Sequence, residues 1–292
     1  MRQLAGHDHQ VAVYHRGQTR AVLPAQVQQF TDASSVMPIQ KFPAKLFEFR
    51  PEVVILTITM GAVDGHAAAD AFRGRAGRLV LVSSGDVYRA YGRFVRIEPG
   101  PIDRGLPNGM LHGASPNSGL LNEDAPLRSV LFPYRHKAPS PQALEYWYEK
   151  ILAERAVFSA ADLPGTVLRL PKVYGPGSND DLATVYRYRG HPNWRWTHGF
   201  VENIAAAVEL AAIHPSAGGR IYNVGEIYTP TVAERLAGLP PSSIEPDLSC
   251  AFDFTQDIAY DTTRIRSELG YREPVPEKEA LQRTLESGRS EH

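Results

Sequence analysis

Three polar side chains in the sequence have the types and spacing needed for proton transfer at a carbonyl or alcohol carbon. Tyr146 and Lys150 are four residues apart, so on a helix they share one face. A phenol has an ordinary pKa of about 10, and a lysine cation one turn away favours the phenolate and lowers that pKa. Ser84 ends an apolar run, and its hydroxyl is suited to hold a substrate oxygen against the phenol. Together the three residues form a candidate general acid/base.

A plainer interpretation of the Tyr-x-x-x-Lys pair also exists. Such pairs occur by chance on many helices, with the tyrosine in the core and the lysine in water. Tyr148 lies nearby but is not four residues before a lysine. The elements around Tyr146 and Lys150 therefore decide between the two interpretations.

The elements that must position these residues alternate between strands and helices. The sequence predicts strands at 11–14, 27–30, 53–58, 78–82, 166–170 and 220–224, and helices at 65–73, 142–160, 201–213, 262–269 and 277–285. The strands are nearly continuous in apolar, β-branched residues, as in parallel strands buried on both faces. The sequence therefore predicts an α/β fold with a doubly wound parallel sheet, whose ligands bind beyond the carboxyl ends of the strands.

Composition excludes several other classes of protein. Of the 292 residues, 43% are hydrophobic and 22% are charged, which is ordinary for a globular protein. The net charge of −1 gives no general attraction to nucleic acid or anionic lipid. No apolar run approaches the ~18 residues of a membrane span. The single cysteine, Cys250, cannot form an internal disulfide and suits a reducing compartment, so we expect a cytoplasmic location.

Further motifs follow in a fixed order along the chain. They are Val80-Leu81-Val82-Ser83-Ser84 with Val87-Tyr88, Asn122-Glu123-Asp124-Ala125-Pro126-Leu127, Tyr146-x-x-x-Lys150-x-x-x-Glu154, Leu168-Arg169-Leu170-Pro171 with Val173-Tyr174-Gly175-Pro176-Gly177, Phe200-Val201-Glu202-Asn203-Ile204-Ala205, Tyr222-Asn223-Val224-Gly225 and Leu269-Gly270-Tyr271. This set resembles the NAD-dependent epimerase/dehydratase family of the extended short-chain dehydrogenase/reductase superfamily. The resemblance covers residues 5 to 285 and is specific to the superfamily rather than to one reaction.

The resemblance implies a Rossmann-type NAD(P)-binding domain over residues 1–175. A mixed substrate-binding region over 176–292 follows, of which 201–225 returns to the Rossmann core. It implies that Ser84, Tyr146 and Lys150 are catalytic, and that Lys150 also binds the nicotinamide ribose.

The remaining cofactor contacts that the resemblance implies lie at strand ends. Thr57 and Ile58 would run past the ribose and phosphates, and Pro171 to Val173 would border the nicotinamide. Asp32 is a candidate for the adenine amino group, with plain solvent exposure as the alternative. Arg16 stands where an acidic residue commonly binds the adenosine ribose, so NADP is slightly favoured over NAD, although Arg16 stacked on adenine or facing water is equally compatible.

The glycine-rich phosphate loop of the family is missing from this sequence. The glycines before residue 60 are Gly6 and Gly17, and neither opens a helix after a first strand. About 20 residues of strand, loop and half-helix are absent, judged from normal element lengths. Two explanations stay open: the sequence starts downstream of the true beginning, or the protein has lost the loop and binds the cofactor poorly or not at all.

The stretch from Arg89 to Leu121 makes the spacing from Ser84 to Tyr146 longer than is usual in the family. It is rich in Gly, Pro and Asn, so we expect an insertion that is either a lid or a mobile loop. The histidines show no metal-ligand spacing, and no metal site is expected.

Two functional hypotheses follow. The first is an NAD(P)-dependent oxidoreductase or epimerase acting on a hydroxyl/keto carbon, for example of a sugar nucleotide, with a tyrosine as general acid/base. The second is a catalytically silent nucleotide-sensing or protein-interaction module on the same fold, which the missing glycine loop favours. A small-molecule substrate and a homodimer are expected, and the net charge gives no support to an RNA-associated relative.

Overall fold

The computed structural model describes residues 1–18, 22–103, 119–180, 182–249 and 251–290. Cys250 and residues 104–118 of the predicted insertion lie outside the described residues. The strands are β1 (Ala12–His15), β2 (Gln28–Thr31), β3 (Val53–Leu56), β4 (Arg78–Ser84), β5 (Gly165–Leu170), β6 (Lys172–Tyr174), β7 (His198–Phe200) and β8 (Arg220–Asn223). The helices are α1 (Arg2–Gly6), α2 (Ala44–Glu48), α3 (Ala62–Phe72), α4 (Arg89–Phe94), α5 (Leu144–Trp147), α6 (Lys150–Phe158), α7 (Ala183–Arg187), α8 (Val201–Ile213), α9 (Val232–Ala237), α10 (Thr263–Leu269) and α11 (Glu277–Ser290).

A four-stranded parallel sheet with the order β3-β4-β5-β8 is the central element of the fold. Val53 pairs with Arg78 and Ile55 with Val80, so β3 and β4 end at the same edge. Helices lie between successive strands of this sheet along the chain. Because parallel neighbours need such crossover connections, this arrangement confirms the predicted α/β, doubly wound fold.

The strands β1 and β2 form a parallel pair of their own, in which Tyr14 lies opposite Phe30. In the Rossmann strand order, a first strand lies between the strands that correspond here to β1 and β3. Within the described ranges no strand joins β1 to β3. The two separate sheets therefore agree with a Rossmann-type sheet that lacks its first strand. A further parallel pair, β6 and β7, sets Lys172 opposite His198.

The chain divides into two compact units. The first comprises Met1–Ser83, Phe132–Val167 and Val208–Arg220, and the second comprises Ser84–Leu131, Leu168–Ala207 and Ile221–His292. The boundary predicted at residue 175 divides an expected cofactor-binding region from an expected substrate-binding region. It does not coincide with a division between the compact units, and it stays a prediction. No helix in the described part of the chain is long and apolar enough to cross a membrane.

Small residues allow two helices of the first unit to approach closely. A Cβ on Gly65 of α3 would lie 2.8 Å from the Cβ of Ala156 in α6, so only glycine permits this distance. Ala68 and Ala153 are also buried on these helices. This close contact anchors α6, whose first residue is the candidate catalytic lysine, Lys150.

Aromatic rings fill much of the interior of the second unit. Phe94 is stacked on Trp194 with ring centroids 4.8 Å apart, and on Phe252 at the same distance. Such offset pairs contribute about 0.5–1.5 kcal/mol each beyond the area they bury. Phe94 ends α4, so this stack fixes the helix that directly follows Ser84 to Val87 along the chain.

The helix predicted over 142–160 is interrupted in the structure. Helix α5 ends at Trp147, Tyr148 and Glu149 have non-helical backbone angles, and α6 begins at Lys150. The main-chain N–H of Glu149 donates to the carbonyl oxygen of Met60 at 2.6 Å. This contact replaces the bond that a continuous helix would make within itself. The prediction of one continuous helix was therefore wrong, because a tertiary hydrogen bond competes with the local helical pattern.

Candidate active site

Lys150 lies buried at the carboxyl edge of β3 and β4, with 5% of its surface exposed. Its Nζ donates to the carbonyl oxygen of Thr59 at 2.7 Å and to that of Val82 at 3.2 Å. A buried ammonium is strongly penalised unless it is hydrogen-bonded, and these carbonyls supply the compensation. The cation is thus held at the edge of the sheet where ligands bind in doubly wound folds.

Glu149 fixes the start of α6 through its buried carboxylate. Its Oε1 accepts from the N–H of Ile151 at 3.0 Å and acts as the N-cap of the helix. Its Oε2 accepts from the N–H of Phe132 at 2.5 Å. Together with the main-chain bond to Met60, these contacts tie three chain segments to the residue before Lys150. Sequence reasoning missed this role, since nothing in the local pattern distinguishes Glu149 from a helical surface residue.

A second buried carboxylate supports α6 one turn further on. Glu154 accepts from the hydroxyl of Ser83 at 2.6 Å, and both side chains are buried. Glu154 belongs to the motif that begins at Tyr146, and Ser83 is the penultimate residue of β4. The hydrogen bond gives these two motif residues a shared structural role: it ties α6 to the strand that ends in Ser84.

The start of α3 is occupied by a carboxylate of the chain itself. Asp64, which is 3% exposed, accepts from the N–H of Met60 at 2.5 Å and from that of Gly61 at 2.8 Å. Burial raises its pKa, while these hydrogen bonds and the charge of Lys150 act in the opposite direction. Helix N-termini favour anions, and here Asp64 meets that preference. The sequence signal that could have found it is the acidic residue in the first turn of α3.

Tyr146 and Lys150 lie on different helices, so they do not share the helical face that their spacing predicts. The Nε of Arg135 donates to the carbonyl oxygen of Tyr146 at 3.0 Å, and its guanidinium carbon lies 4.6 Å from the centre of the Tyr146 ring. The Nζ of Lys150 lies 5.8 Å from the centre of the Tyr148 ring. The guanidinium of Arg135 therefore lies beside the Tyr146 ring, and the ammonium of Lys150 lies beside the Tyr148 ring.

Ser84 is the first residue of the second unit. Its Oγ accepts from the N–H of Asp86 at 3.3 Å and caps the short 3₁₀ turn at 85–87. The Nε of Arg128 donates to the carbonyl oxygen of Asp86 at 2.5 Å and holds the same turn from outside. A Cβ on Gly85 would lie 1.5 Å from the hydroxyl oxygen of Tyr260, so this position requires glycine.

Several motif residues of the second unit meet in a buried polar network. The hydroxyl of Tyr88 donates to Asn223 Oδ1 at 2.6 Å, and the N–H of Asn223 donates to Glu123 Oε1 at 2.8 Å. Arg169 donates to the carbonyl oxygen of Glu123 at 2.9 Å and lies over the Tyr88 ring at 4.8 Å. Burial raises the pKa of Glu123, against the hydrogen bond from Asn223 and the charge of Arg264. Motifs that are far apart in sequence thus share a structural role.

The residues predicted to bind a cofactor occupy strand ends, as expected from their sequence positions. Arg16 and Asp32 directly follow the paired ends of β1 and β2. The carboxylate of Asp32 accepts from the N–H and the hydroxyl of Ser34, which hold its pKa below the usual value. Thr57 and Ile58 follow β3 and are exposed. In the second unit, Pro171 and Val173 are half-buried next to and within β6. Their roles toward a cofactor stay predictions.

A polar cluster around β7 was not anticipated from the sequence. His198 is 4% exposed, and its Nδ1 lies 2.7 Å from the carbonyl oxygen of Trp196. Burial and the charge of Arg235 hold its pKa well below the ordinary value, so the ring is neutral. Arg235 also pairs with Glu226 and donates to the carbonyl oxygen of Trp196. Among the residues that the structure describes, no group of three or more His, Cys, Asp or Glu has an arrangement that could hold a metal ion.

Comparison with solved structures identifies proteins of the same fold. The UDP-glucose 4-epimerase of Thermotoga maritima, solved with UDP-glucose, matches with a TM-score of 0.66 and 16% identity over 99% of this chain and 94% of that one. The Thermus thermophilus UDP-glucose 4-epimerase complex with NAD matches with a TM-score of 0.59 and 20% identity over 98% and 93% of the chains. The Bordetella bronchiseptica enzyme WbmG in complex with NAD gives 0.62 and 14% over 99% and 88%.

The chain shares the fold of these enzymes. This confirms, at the level of the fold, the resemblance to NAD-dependent epimerases and dehydratases that the motifs predict. No protein-family model matches the chain, and no curated protein matches it. Sequence identities of 14–20% show that the fold is shared and show no further property. The activity therefore has to be inferred from the site itself.

Proposed function

We propose that this protein is an NAD(P)-dependent oxidoreductase or epimerase acting on a hydroxyl/keto carbon, with a sugar nucleotide as the substrate class. The observation that carries the proposal is the buried ammonium of Lys150, held by two main-chain carbonyls at the carboxyl edge of β3 and β4. A cation kept at this edge at such a desolvation cost is suited to lower the pKa of a nearby phenol. The solved structures of the same fold include complexes with NAD and with UDP-glucose.

A nicotinamide cofactor fits the residues of this chain in part. The buried Lys150 and the strand-end residues Thr57 and Ile58 are suited to the nicotinamide and ribose half. No glycine-rich loop precedes residue 60, and the N-terminus of α3 is filled by Asp64. The N-terminus of α3 therefore offers the pyrophosphate no free main-chain N–H groups at Met60 and Gly61.

Proton transfer is the part of the reaction that the chain's own residues supply. The cofactor, when bound, accepts or donates the hydride. In the proposal, Ser84 holds the substrate oxygen by a hydrogen bond, and a phenol takes or returns the hydroxyl proton. Lys150 stabilises the phenolate form and so brings the phenol closer to its working pKa.

Two tyrosines compete for the role of the acid/base. The sequence motif favours Tyr146, which stands four residues before Lys150. The geometry favours Tyr148 as a second candidate, since its ring centre lies 5.8 Å from the Lys150 Nζ. The four-residue spacing favours Tyr146 only if one helix carries both Tyr146 and Lys150. Because the helix is interrupted between them, the distance to Lys150 is an equally good guide.

Two tyrosine variants separate these candidates. We expect the variant that removes the acid/base, either Tyr146→Phe or Tyr148→Phe, to lower kcat by about 10²–10⁴-fold, because general acid/base catalysis contributes that much. We expect the other of the two variants to keep most of its activity. The assay is turnover of UDP-glucose with NAD or NADP by the full chain. Trp147→Phe is the matched control, since it changes an aromatic residue between the two without removing a phenol. Full activity in both tyrosine variants would contradict the proposed mechanism.

A catalytically silent nucleotide-binding or protein-interaction module is the second candidate function. The N-terminus of α3, which the carboxylate of Asp64 occupies, favours it. Calorimetric titration with NAD and NADP distinguishes the two. Binding together with turnover supports the enzyme. Binding without turnover of any hydroxyl or keto sugar nucleotide supports the silent module.

We further propose a cytoplasmic homodimer that takes a small-molecule substrate. The lack of an internal disulfide partner for Cys250 supports a reducing compartment. Light scattering coupled to size-exclusion chromatography tests the dimer, and a monomeric mass at micromolar concentration would refute it.

A further inference from the structure

The segment of residues 59–61, between β3 and α3, holds the start of α6 through its carbonyl oxygens. The carbonyl oxygen of Thr59 accepts from the Lys150 Nζ at 2.7 Å. The carbonyl oxygen of Met60 accepts from the N–H of Glu149 at 2.6 Å. The position of this segment therefore decides where the buried ammonium of Lys150 finds one of its acceptors.

Asp64 fixes the same segment through its main-chain N–H groups. Its Oδ2 accepts from the N–H of Met60 at 2.5 Å, and its Oδ1 accepts from the N–H of Gly61 at 2.8 Å. Oδ1 also accepts from the N–H of Gly65 at 3.1 Å, inside α3. Both carboxylate oxygens thus bind main-chain donors, so the segment is tied to Asp64 by its N–H groups and to the start of α6 by its carbonyls.

The segment also lies unusually close to the break between α5 and α6. A Cβ on Gly61 would lie 2.9 Å from the carbonyl oxygen of Trp147 and 3.9 Å from that of Glu149. A side chain at position 61 would therefore push the segment away from the residues that precede Lys150. Glycine at this position permits the approach that brings the Thr59 carbonyl to the ammonium.

Asp64 and Lys150 are also coupled by their charges. The two residues are 3% and 5% exposed, so water screens their interaction only weakly. Burial has the largest effect on the pKa of Asp64 and raises it, and the positive charge of Lys150 is among the effects that lower it. A change at Asp64 can therefore reach the ammonium in two ways, through the main chain of 59–61 and through the loss of a nearby negative charge.

We propose that Asp64 is a positioning residue for Lys150, because it holds the segment 59–61 so that the Thr59 carbonyl oxygen meets the ammonium. The inference rests on the proposed function, in which Lys150 stabilises the phenolate form of the acid/base. Asp64 acts through the main chain and not on the reacting atoms. An ordinary helix cap, by contrast, would stabilise α3 and leave the ammonium where it is.

Chemical modification of Lys150 tests the positioning without any need for activity. In Asp64→Asn the side-chain nitrogen cannot accept, so the N–H of Met60 or of Gly61 loses its partner. We expect reductive methylation of Lys150 in the folded full chain to become at least about tenfold faster, the factor that corresponds to one lost buried hydrogen bond. Mass spectrometry of the digested chain measures the rate, with the exposed Lys45 as the internal reference.

Glu234→Gln is the matched control for the loss of a helix-cap carboxylate. Glu234 has the same place in α9 that Asp64 has in α3, the third residue of the helix, and it accepts from the N–H of Thr231 at 2.7 Å. Its substitution weakens a cap but leaves the segment 59–61 unchanged, so the Lys150 rate is expected to stay the same. An unchanged rate in Asp64→Asn, or an equal increase in Glu234→Gln, would overturn the proposal.

The pH dependence of kcat/KM separates positioning from a simple effect of charge. If the ammonium moves away in Asp64→Asn, the phenolate is stabilised less, and the acidic limb of the profile shifts to higher pH. Loss of the negative charge alone would strengthen the positive field at the phenol and shift the limb to lower pH. A shift to lower pH, or no shift, contradicts positioning. If the natural chain shows no turnover, the proposed function fails, and the modification of Lys150 still decides whether Asp64 positions the ammonium.

A second variant keeps the test decisive if Asp64→Asn does not fold. Gly61→Ala leaves Asp64 in place, but its methyl group would overlap the Trp147 carbonyl oxygen and displace the segment. We expect Lys150 to be methylated faster in this variant as well. Gly6→Ala is the control in the same unit, since a Cβ there meets nothing within 4 Å, and its Lys150 rate should equal that of the natural chain. An unchanged Lys150 rate in Gly61→Ala would show that the segment does not position the ammonium.

Discussion

At the scale of single residues, several side chains of the sequence motifs, including the candidate catalytic Ser84, make structural hydrogen bonds. Ser84 caps a turn, Tyr88 donates to Asn223, and Glu154 binds Ser83. These hydrogen bonds hold the motif residues in place, so a substitution at any of them changes stability as well as activity. Mutational tests of the site therefore need a stability readout beside the kinetic one.

The turn after β4 gives a sharp test of packing at this scale. We expect Gly85→Ala to destabilise the fold by about 1–3 kcal/mol, the usual cost of forcing extra atoms into a packed site, because the new methyl group would overlap the Tyr260 hydroxyl. Urea denaturation gives the free energy of unfolding. Gly190→Ala is the control, since a Cβ there meets nothing within 4 Å, and a change within about 0.5 kcal/mol is expected.

A double variant checks the stated cause of that loss. Combining Gly85→Ala with Tyr260→Leu removes the hydroxyl and the ring carbon that obstruct the methyl group. The combined loss of stability is then expected to be smaller than the sum of the two single losses. A strictly additive result would show that the steric explanation is wrong.

At the scale of elements, the interruption between α5 and α6 decides how the candidate site is arranged. A continuous helix would set Tyr146 one turn before Lys150. The break at Tyr148 and Glu149 instead makes Lys150 the first residue of α6, where the capping carboxylate of Glu149 and the carbonyls of Thr59 and Val82 hold it.

We expect Glu149→Gln to loosen the start of α6. The amide keeps one acceptor oxygen but replaces the other with a donor that faces the N–H of Phe132 or Ile151. An unsatisfied buried donor costs about 1–3 kcal/mol, and the free energy of unfolding should fall by that amount. Amide hydrogen exchange should report faster opening over 150–153. Glu145→Gln, on the exposed face of α5, should change neither measurement.

Elements with strong local patterns were predictable from the sequence, and contacts between distant segments were not. The strands β3, β4 and β5 follow from their β-branched and apolar residues, and α8 begins and ends where its pattern predicts. The break in the helix after residue 147 depends on a hydrogen bond to Met60, which no local pattern contains.

At the scale of the whole molecule, buried carboxylates with raised pKa values make stability depend on pH, among them Asp64 in the first unit and Glu123 in the second. Burial raises the pKa of Asp64 and of Glu123 above their ordinary values. A raised pKa means that the folded state holds the proton more tightly than the unfolded one, so the associated stabilisation is complete at low pH and is lost as the pH rises through the folded-state pKa. Hydrogen bonds lower the pKa values of other carboxylates, such as Asp247 and Asp253. The stability that these groups contribute is lost as the pH falls through their folded-state pKa values.

Glu123→Gln tests this dependence. The side chain faces Arg264, Asp261 and the N–H of Asn223. Because the glutamine cannot ionise, the stability of the natural chain relative to the variant should decrease as the pH rises from about 4.5, the ordinary value for glutamate, toward neutrality. Urea denaturation at a series of pH values measures it. A difference that stays constant, or that grows with pH, would show that the pKa of Glu123 is not raised.

The separation of the β1–β2 pair from the central sheet has a consequence for how copies of the chain behave together. Among the described strands, β1 pairs with β2 alone and β3 with β4 alone, so each has one edge without a neighbouring strand. An open edge presents a row of main-chain donors and acceptors, which is a template for recruiting a strand from another molecule. Val53 to Ile55 on β3 are half-buried and strongly β-forming, so this edge is suited to pair with a strand of another molecule.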